Sequence, residues 1–183
     1  MREAEVFGKY LMVEGFKNAK IENDLFKLIG SRSKTSQVQV LDADLIAGFE
    51  HIYFAVLNAL KAFKSGINIS KNLPIEILLF ASGQDQIKKA IEILGVKQTT
   101  KNIAAVIISD SREEALSTLN VVSGIVNGEA DHNIIELNEE KIHVIIDAFK
   151  ISRCELEASM RGSLESAVKN VLIERAALLV TQR

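Results

Sequence analysis

Apolar residues at Phe49, Ile52, Tyr53, Val56, Leu57, Leu60 and Phe63 recur at steps of three and four, which predicts one helix from Phe49 to about Lys64. Gly66 stands where such a helix needs a left-handed residue to stop. After Pro74 comes Ile75-Glu76-Ile77-Leu78-Leu79-Phe80, a run with too few polar breaks to be half exposed, and it predicts a buried strand. An Ala81-Ser82-Gly83 turn then leads into a second helix carrying Ile87, Ala90, Ile91 and Leu94, with Gly95 as its stop. The tract from Gly48 to Gly95 therefore predicts helix, loop, strand, tight turn and helix.

Elsewhere the pattern predicts strands at Tyr10–Phe16, Val38–Leu41 and Ile103–Ile108, the last a continuous apolar run. Asn23–Ile29 predicts a short helix ended by Gly30, and Ser31 to Ser36 forms a polar loop. Ser111 with Glu114 three residues on is a capping-box signature, opening a helix with Ala115, Leu116, Leu119, Val122 and Val126. Asn127-Gly128 ends that helix. Ile142, Ile145, Ile146 and Phe149 keep helical spacing, although Val144-Ile145-Ile146 alone passes for a strand. Ser152 and Glu155 form a second capping box, and a last helix starts near Ser163. This alternation implies an α/β fold: a single domain over residues 1–183, a central β-sheet flanked by helices, and a C-terminal helix.

Composition adds limits. The chain has 183 residues, 48% hydrophobic and 25% charged, which suits one domain with a sizeable core. No run approaches the roughly 20 apolar residues of a membrane span, and Met1-Arg2-Glu3-Ala4-Glu5 lacks a signal peptide's apolar core. One cysteine, Cys154, excludes an internal disulfide and suits a reducing compartment, with the cytoplasm as the default. A net charge of −2 argues against nucleic-acid binding by bulk electrostatics. The charge is uneven: residues 1–101 hold 14 Lys and Arg against 11 Asp and Glu, residues 102–183 hold 8 against 13. Two partners of opposite sign would suit such halves, and so would ordinary fluctuation.

Three features carry candidate chemistry. At the Ser82-Gly83 turn, Ser82 can cap the following helix by accepting from the main chain at Asp85, and Gly83 lets a ligand approach the backbone. Lys88 and Lys89 a turn later would receive a phosphate or a nucleotide edge; the simpler reading is a helix cap with no ligand. The loop with Asn68, Ser70, Lys71 and Asn72 offers amides and a cation suited to base edges and phosphates, or is a solvated connection. Stacking platforms are scarce, with no Trp, two Tyr and eight Phe mostly on apolar faces. The last helix is the third: Val168, Val171, Leu172, Ala176 and Leu179 cover one stripe, and Ile173, Ala177, Leu178 and Val180 widen it. A wide terminal stripe is either core or shared with a partner.

Signs of catalysis are missing. His51 beside Glu50 has no nucleophile or second base with it, so a structural role or a contact at a site rim is favoured. His132, His143 and Cys154 show no metal-ligand spacing, and no Walker loop, dinucleotide fingerprint or paired-carboxylate pattern occurs. No cofactor is expected.

Ile46-Ala47-Gly48-Phe49-Glu50-His51, with Ala55, Ala59 and Ala62-Phe63, looks like one half of a known pattern; Ile75 to Ile87, with Ala90-Ile91 and Gly95, is the other half. Together they resemble the small TPRKB-like subunit of the KEOPS complex, which makes threonylcarbamoyladenosine in tRNA. Ile173-Glu174-Arg175-Ala176-Ala177-Leu178-Leu179 is similar to that family's closing helix, and Val13-Glu14-Gly15-Phe16 and Ile21-Glu22 fit more loosely. The resemblance implies a non-catalytic accessory subunit that binds and stimulates the kinase-like ATPase subunit and recruits tRNA by its 3′ CCA end, with no membrane or DNA partner. It implies an RNA site including Asn68, Lys71, Ser82, Gly83 and Gln86, with Lys88 and Lys89 lending charge. It also implies partner docking by the final helix, through Val168, Val171, Leu172, Ile173, Arg175, Ala176 and Leu179. The family pattern places Arg where this chain has Asp85, a carboxylate that repels phosphate, so Lys88, Lys89 or Lys71 must compensate. Two other readings remain open: a small-ligand or nucleotide-binding regulatory domain using the same turn, and a protein-interaction scaffold without RNA contact.

Overall fold

The computed structural model describes residues 1–20, 28–29 and 36–182 of the chain. In chain order the elements are β1 (Arg2–Val6), β2 (Lys9–Lys17), β3 (Gln37–Asp42), α1 (Phe49–Ser65), α2 (Leu73–Ser82), α3 (Ile87–Leu94), β4 (Ile103–Ser109), α4 (Arg112–Val126), β5 (Glu129–Ala130), α5 (Glu139–Ala148), α6 (Arg153–Ser159) and α7 (Leu164–Leu178). The fold is α/β, with one antiparallel sheet and a closing C-terminal helix. The chain divides into two compact units, Met1–Ala43 with Val96–Ile135, and Asp44–Gly95 with Glu136–Arg183.

The first unit holds the sheet, in the order β1-β2-β4-β3, with β5 paired to the end of β2. Three predicted strands are present, Tyr10–Phe16 within β2, Val38–Leu41 within β3 and Ile103–Ile108 within β4. Registers such as Met12↔Ile107 and Val38↔Ile107 put Met12, Ile103, Ala105, Ile107, Phe16 and Val40 on one face. Against that face α4 packs Ala115, Leu116, Leu119, Val122 and Val126, the positions its 3.6-residue period predicts, together with Ile125. Ser111 caps α4 by accepting from Glu114 N at 3.2 Å, whereas the Glu114 carboxylate accepts from Asp110 N, so this capping box is only half closed. Asn127, left-handed at φ 48°, ends the helix as expected. The predicted Asn23–Ile29 helix lies outside the described residues except Leu28 and Ile29, which are helical, and the Ser31–Ser36 loop except Ser36. Strand β1, joined to β2 through Phe7-Gly8 at positive φ, was not legible in the polar Arg2-Glu3-Ala4-Glu5 stretch.

The second unit is helical, and here one prediction is corrected. Ile75–Phe80 is not a strand but the body of α2. Asn72 accepts from Ile75 N at 3.2 Å, and Pro74 sits in the first turn, where its fixed φ suits a helix and its missing N–H leaves nothing unpaired. Residues 76–82 are buried all round, so the run carries no polar period to separate a buried helix from a buried strand. Helices α1, α3 and α5 to α7 stand where the sequence places them, Gly66 ends α1 at φ 67°, and α3 stops at Gly95. Within the unit α1 packs on α2 and α7, and α7 also meets α2, α5 and α6. The C-terminal helix is thus the hub of this core.

Candidate functional site

The Ser82-Gly83 turn joins two helices, α2 and α3, rather than a strand and a helix. Ser82 is the last residue of α2, fully buried, and its hydroxyl donates to Leu79 O at 3.1 Å; it does not cap α3 through Asp85. Gly83, at φ 62°, closes a helix-ending turn in which its own N–H bonds Phe80 O and Gln84 N bonds Leu79 O. A Cβ on Gly83 would lie 3.2 Å from Arg175 Cβ, so the missing side chain lets α7 pack close to this turn. The expected Ser82 cap is therefore corrected to a buried helix end, while Gly83 is half-buried at the turn. The nucleotide-binding reading loses the strand-to-helix turn it relied on.

Gln86 precedes α3 in an extended conformation without a side-chain cap bond, and Asp85, Gln86, Lys88 and Lys89 are all exposed. Ile87 and Ile91, four residues apart, are 40% and 47% exposed on the same helix. The outer side of α3 thus carries Lys88 and Lys89 together with Glu92 and the two isoleucines, held in place by buried Ala90 and Leu94.

The loop between α1 and α2 is built around a carboxylate. Glu76 in the first turns of α2 is fully buried and reaches back to accept from Ile69 N at 3.1 Å and Ser70 N at 2.8 Å. Asn68 Nδ2 donates to Ser70 O at 3.0 Å, and Asn72 N donates to Ser70 Oγ at 3.1 Å. The loop is a braced turn, not a solvated connection, and Asn68 takes part in the bracing. Outward it presents Lys71 with Ile67 and Ile69, the two isoleucines 47% and 40% exposed. The sequence reading passed over Glu76 and both isoleucines. The available signal was Asn72 with Pro74 two residues later, a helix-start signature that would have freed Glu76 from the strand.

On α7 the stripe Val168, Val171, Leu172 and Ala176, with Leu179 just beyond, is buried. These five residues are core, and that part of the docking prediction is corrected: the helix is the unit's hub, so its most apolar side faces inward. Ile173 is half-buried, while Glu174, Ala177 and Leu178 are exposed. Ile173, Glu174 and Ala177 border an open cleft of about 410 Å³ between α6 and α7, lined also by Ala158, Ser159, Arg161 and Asn170; Leu178 lines a separate hollow with Glu155, Ala158, Ser159 and Arg175. Arg175 serves the fold: its guanidinium donates to Glu155 Oε1 at 2.7 and 3.0 Å and to Phe149 O at 2.7 Å. The second capping box is complete, with Ser152 and Glu155 bonded reciprocally. Backbone N–H donation from Ser152, aided by Arg175, holds the Glu155 carboxyl down at about 2.

His51 is fully buried and structural, with Nδ1 accepting from Ala47 N at 3.3 Å and Nε2 donating to Ala81 O at 2.8 Å. Among the described residues no three His, Cys, Asp or Glu side chains gather as a metal site, and no helix is long and apolar enough to cross a membrane.

The described residues build an antiparallel sheet unit and a helical unit, the latter with a lysine- and isoleucine-bearing side on α3 and an open cleft between α6 and α7. The chain belongs to the family described as kinase binding protein CGI-121, whose pattern matches residues 16–178. It is 33% identical to the regulatory protein Cgi121 of Methanocaldococcus jannaschii over 141 residues, 77% of this chain and 85% of that one. It is 43% identical to the KEOPS complex subunit Cgi121 of Pyrococcus abyssi over 61 residues, 33% of this chain and 36% of that one. The family expected from the central motifs is thereby established. These descriptions are of binding and regulation.

Proposed function

We propose that the protein is an accessory subunit of a KEOPS-type assembly that binds and stimulates a kinase-like ATPase subunit and recruits tRNA by its 3′ CCA end. The observation that carries this reading is the family match over residues 16–178, in a family described by kinase binding. The whole chain would act as one domain, because its two units interleave along the sequence and no single cut separates them. The exposed, free Cys154 fits work in the reducing cytoplasm. The subunit's contribution is placement: holding tRNA beside the catalytic subunit raises its effective concentration there.

In this reading RNA meets the outer side of α3 and the α1–α2 loop, through Gln86, Lys88, Lys89 and Lys71, with Asn68 fixing the loop's shape. The ATPase subunit meets the open side of α7 through Ile173, Glu174, Ala177 and Leu178. The test is binding of tRNA with and without its terminal CCA at two salt concentrations. Tight binding that needs CCA and weakens with salt supports the reading; equal or absent binding of both forms removes the tRNA-end part.

Two double variants separate the surfaces. Lys88→Glu with Lys89→Glu is expected to weaken tRNA binding at least about tenfold at low salt and to flatten its salt dependence, with an unchanged melting temperature. Ile173→Glu with Leu178→Glu is expected to weaken capture of the ATPase subunit by about thirtyfold or more while leaving tRNA affinity in place. A pull-down titration and an anisotropy titration on each variant read both outcomes.

A further inference from the structure

We propose that Asn127-Gly128 is a self-modification site, where the Gly128 backbone nitrogen attacks the Asn127 side-chain amide and leaves aspartate or isoaspartate, and that the sheet unit's fold restrains this reaction. The site stands apart from the RNA and ATPase surfaces, which neither use nor need these residues. Asn127 is the one asparagine of the chain that glycine follows. A glycine there leaves the attacking nitrogen unshielded by a side chain and its backbone free to turn. Asn127 itself is exposed, so water reaches both the amide and the intermediate.

The step balances with water as its only co-reactant. The Gly128 nitrogen loses its proton and bonds to Asn127 Cγ. The Cγ–Nδ2 bond breaks, and the amide nitrogen leaves as ammonia carrying that proton. Water then opens the five-membered imide. Cleavage at Cγ gives an ordinary aspartate, whereas cleavage at the main-chain carbonyl carbon gives isoaspartate, in which the chain runs through Cβ and Cγ and is a carbon longer.

Packing explains why so labile a pair stands here. Asn127 ends α4 in the left-handed region, at φ 48° and ψ 47°, with its N–H donating to Ser123 O at 3.2 Å. Apart from glycine, asparagine is among the few residues that take that conformation routinely. At Gly128 a Cβ would lie 2.9 Å from Lys17 O and 3.2 Å from Ala19 Cα, so a larger residue does not fit. The two positions thus narrow the choice to Asn-Gly or to two glycines.

The same packing slows the chemistry. At ψ 47° the Gly128 nitrogen lies nearly anti to Asn127 Cβ across the Cα–C bond, and ring closure needs the two on the same side. Turning that bond pulls Gly128 away from Lys17 and displaces β5, whose Glu129 and Ala130 register with Lys17 and Phe16. It also strains the bond from Asp131 N to Gly15 O, 2.8 Å long. Reaction therefore waits on local opening of the α4–β5 junction. Either product puts a carboxylate at the C-terminus of α4, against the helix dipole and two residues from Glu129. Isoaspartate also lengthens the chain where β5 must meet β2.

The experiment incubates the whole chain at mildly alkaline pH, folded in buffer and unfolded in guanidinium, and follows Asn127 by peptide mass mapping and isoaspartate-specific methylation. Conversion is expected at Asn127 before any other asparagine, and at least about tenfold slower in the folded chain than in the unfolded one. The converted protein, more acidic and separable by anion exchange, is expected to melt below the parent. Asn127→Gly keeps the left-handed turn and is expected to melt with the parent and to lose the earliest acidic species. Faster conversion at another asparagine, or none at Asn127 in either state, overturns the site. Equal rates at Asn127 in the two states overturn the restraint by the fold.

Discussion

Arg175→Ala is expected to lower the folding stability by about 3 kcal/mol, a loss of roughly 10 °C in melting temperature for a chain of this size. Three short charge-assisted bonds leave one guanidinium: two to Glu155 Oε1 in the first turn of α6, and one to Phe149 O at the end of α5. A fourth, longer contact reaches Lys150 O at 3.5 Å. The side chain thus ties the end of one helix and the start of the next to α7, and its Cβ packs where Gly83 closes α2. Truncation strands the buried end of α5 with an unsatisfied carbonyl and removes a partner from a half-buried carboxylate. Arg175→Lys is expected to recover less than half of the loss, because a point cation cannot serve a carboxylate and a carbonyl in one planar fork. Thermal melts of the parent and both variants decide the matter, and a lysine variant as stable as the parent would refute the fork.

The same pair has an acid limit, and its sign is fixed by Glu155. Its carboxyl, ordinarily near 4.5, is held down to about 2, first by the Ser152 N–H and then by the Ser152 hydroxyl and Arg175. The stability this gives is fully present above the ordinary value and drains away as pH falls from about 4.5 towards 2. Since the largest cause is the cap and not the guanidinium, this acid loss survives Arg175→Ala in reduced form.

How far the sequence could be read depended on whether polar residues interrupted the apolar ones. Strand β2, strand β4 and helices α1, α4 and α7 were legible, because length or period left one solution. Ile75–Phe80 was not. Buried on all sides, it has neither a strand's alternation nor a helix's polar face, and only its caps, Asn72 and Gly83, hold the answer. That one error moved Ser82 from a ligand-facing cap to a buried helix end, and it hid Glu76 inside an imagined strand. The final helix shows the complementary limit. Its apolar positions were correctly found, yet a stripe wide enough for core and partner together does not say which side is which. The packing of α7 on α1, α2, α5 and α6 assigns Val168, Val171, Leu172 and Ala176 to the core, and leaves Ile173 and Ala177 towards the cleft and Leu178 exposed beside it. The exposed lysines of α3 were legible as charge and remain where they were placed.

His51→Leu is expected to cost about 3 kcal/mol at pH 7 and almost nothing relative to the parent near pH 4. The imidazole is sealed between α1, the end of α2 and the Phe149 ring, whose centroid lies 6.2 Å away edge to face. Nδ1 accepts from Ala47 N, which requires the Nε2–H tautomer, and that proton goes to Ala81 O, one of the last carbonyls of α2 without a partner inside its helix. A second proton would remove the Nδ1 acceptor and bury a charge near the Lys141 ammonium. Burial above all, with Lys141 adding to it against the Ala81 bond, therefore pushes the imidazole from 6.5 down to about 4. The unfolded chain then binds the proton more readily than the folded one between those values. Stability is whole above about 6.5 and declines as pH falls towards 4, by ~3 kcal/mol over the interval from this group alone. Leucine keeps the volume but leaves Ala47 N and Ala81 O unsatisfied, and it cannot titrate. Denaturant melts of the two proteins from pH 7.5 to pH 4 should give curves that converge on the acid side, with carboxylate effects cancelling in the difference. Parallel curves with a constant offset would mean that His51 titrates alike in both states, and that the Ala47–His51–Ala81 clamp does not govern the acid stability of the helical unit.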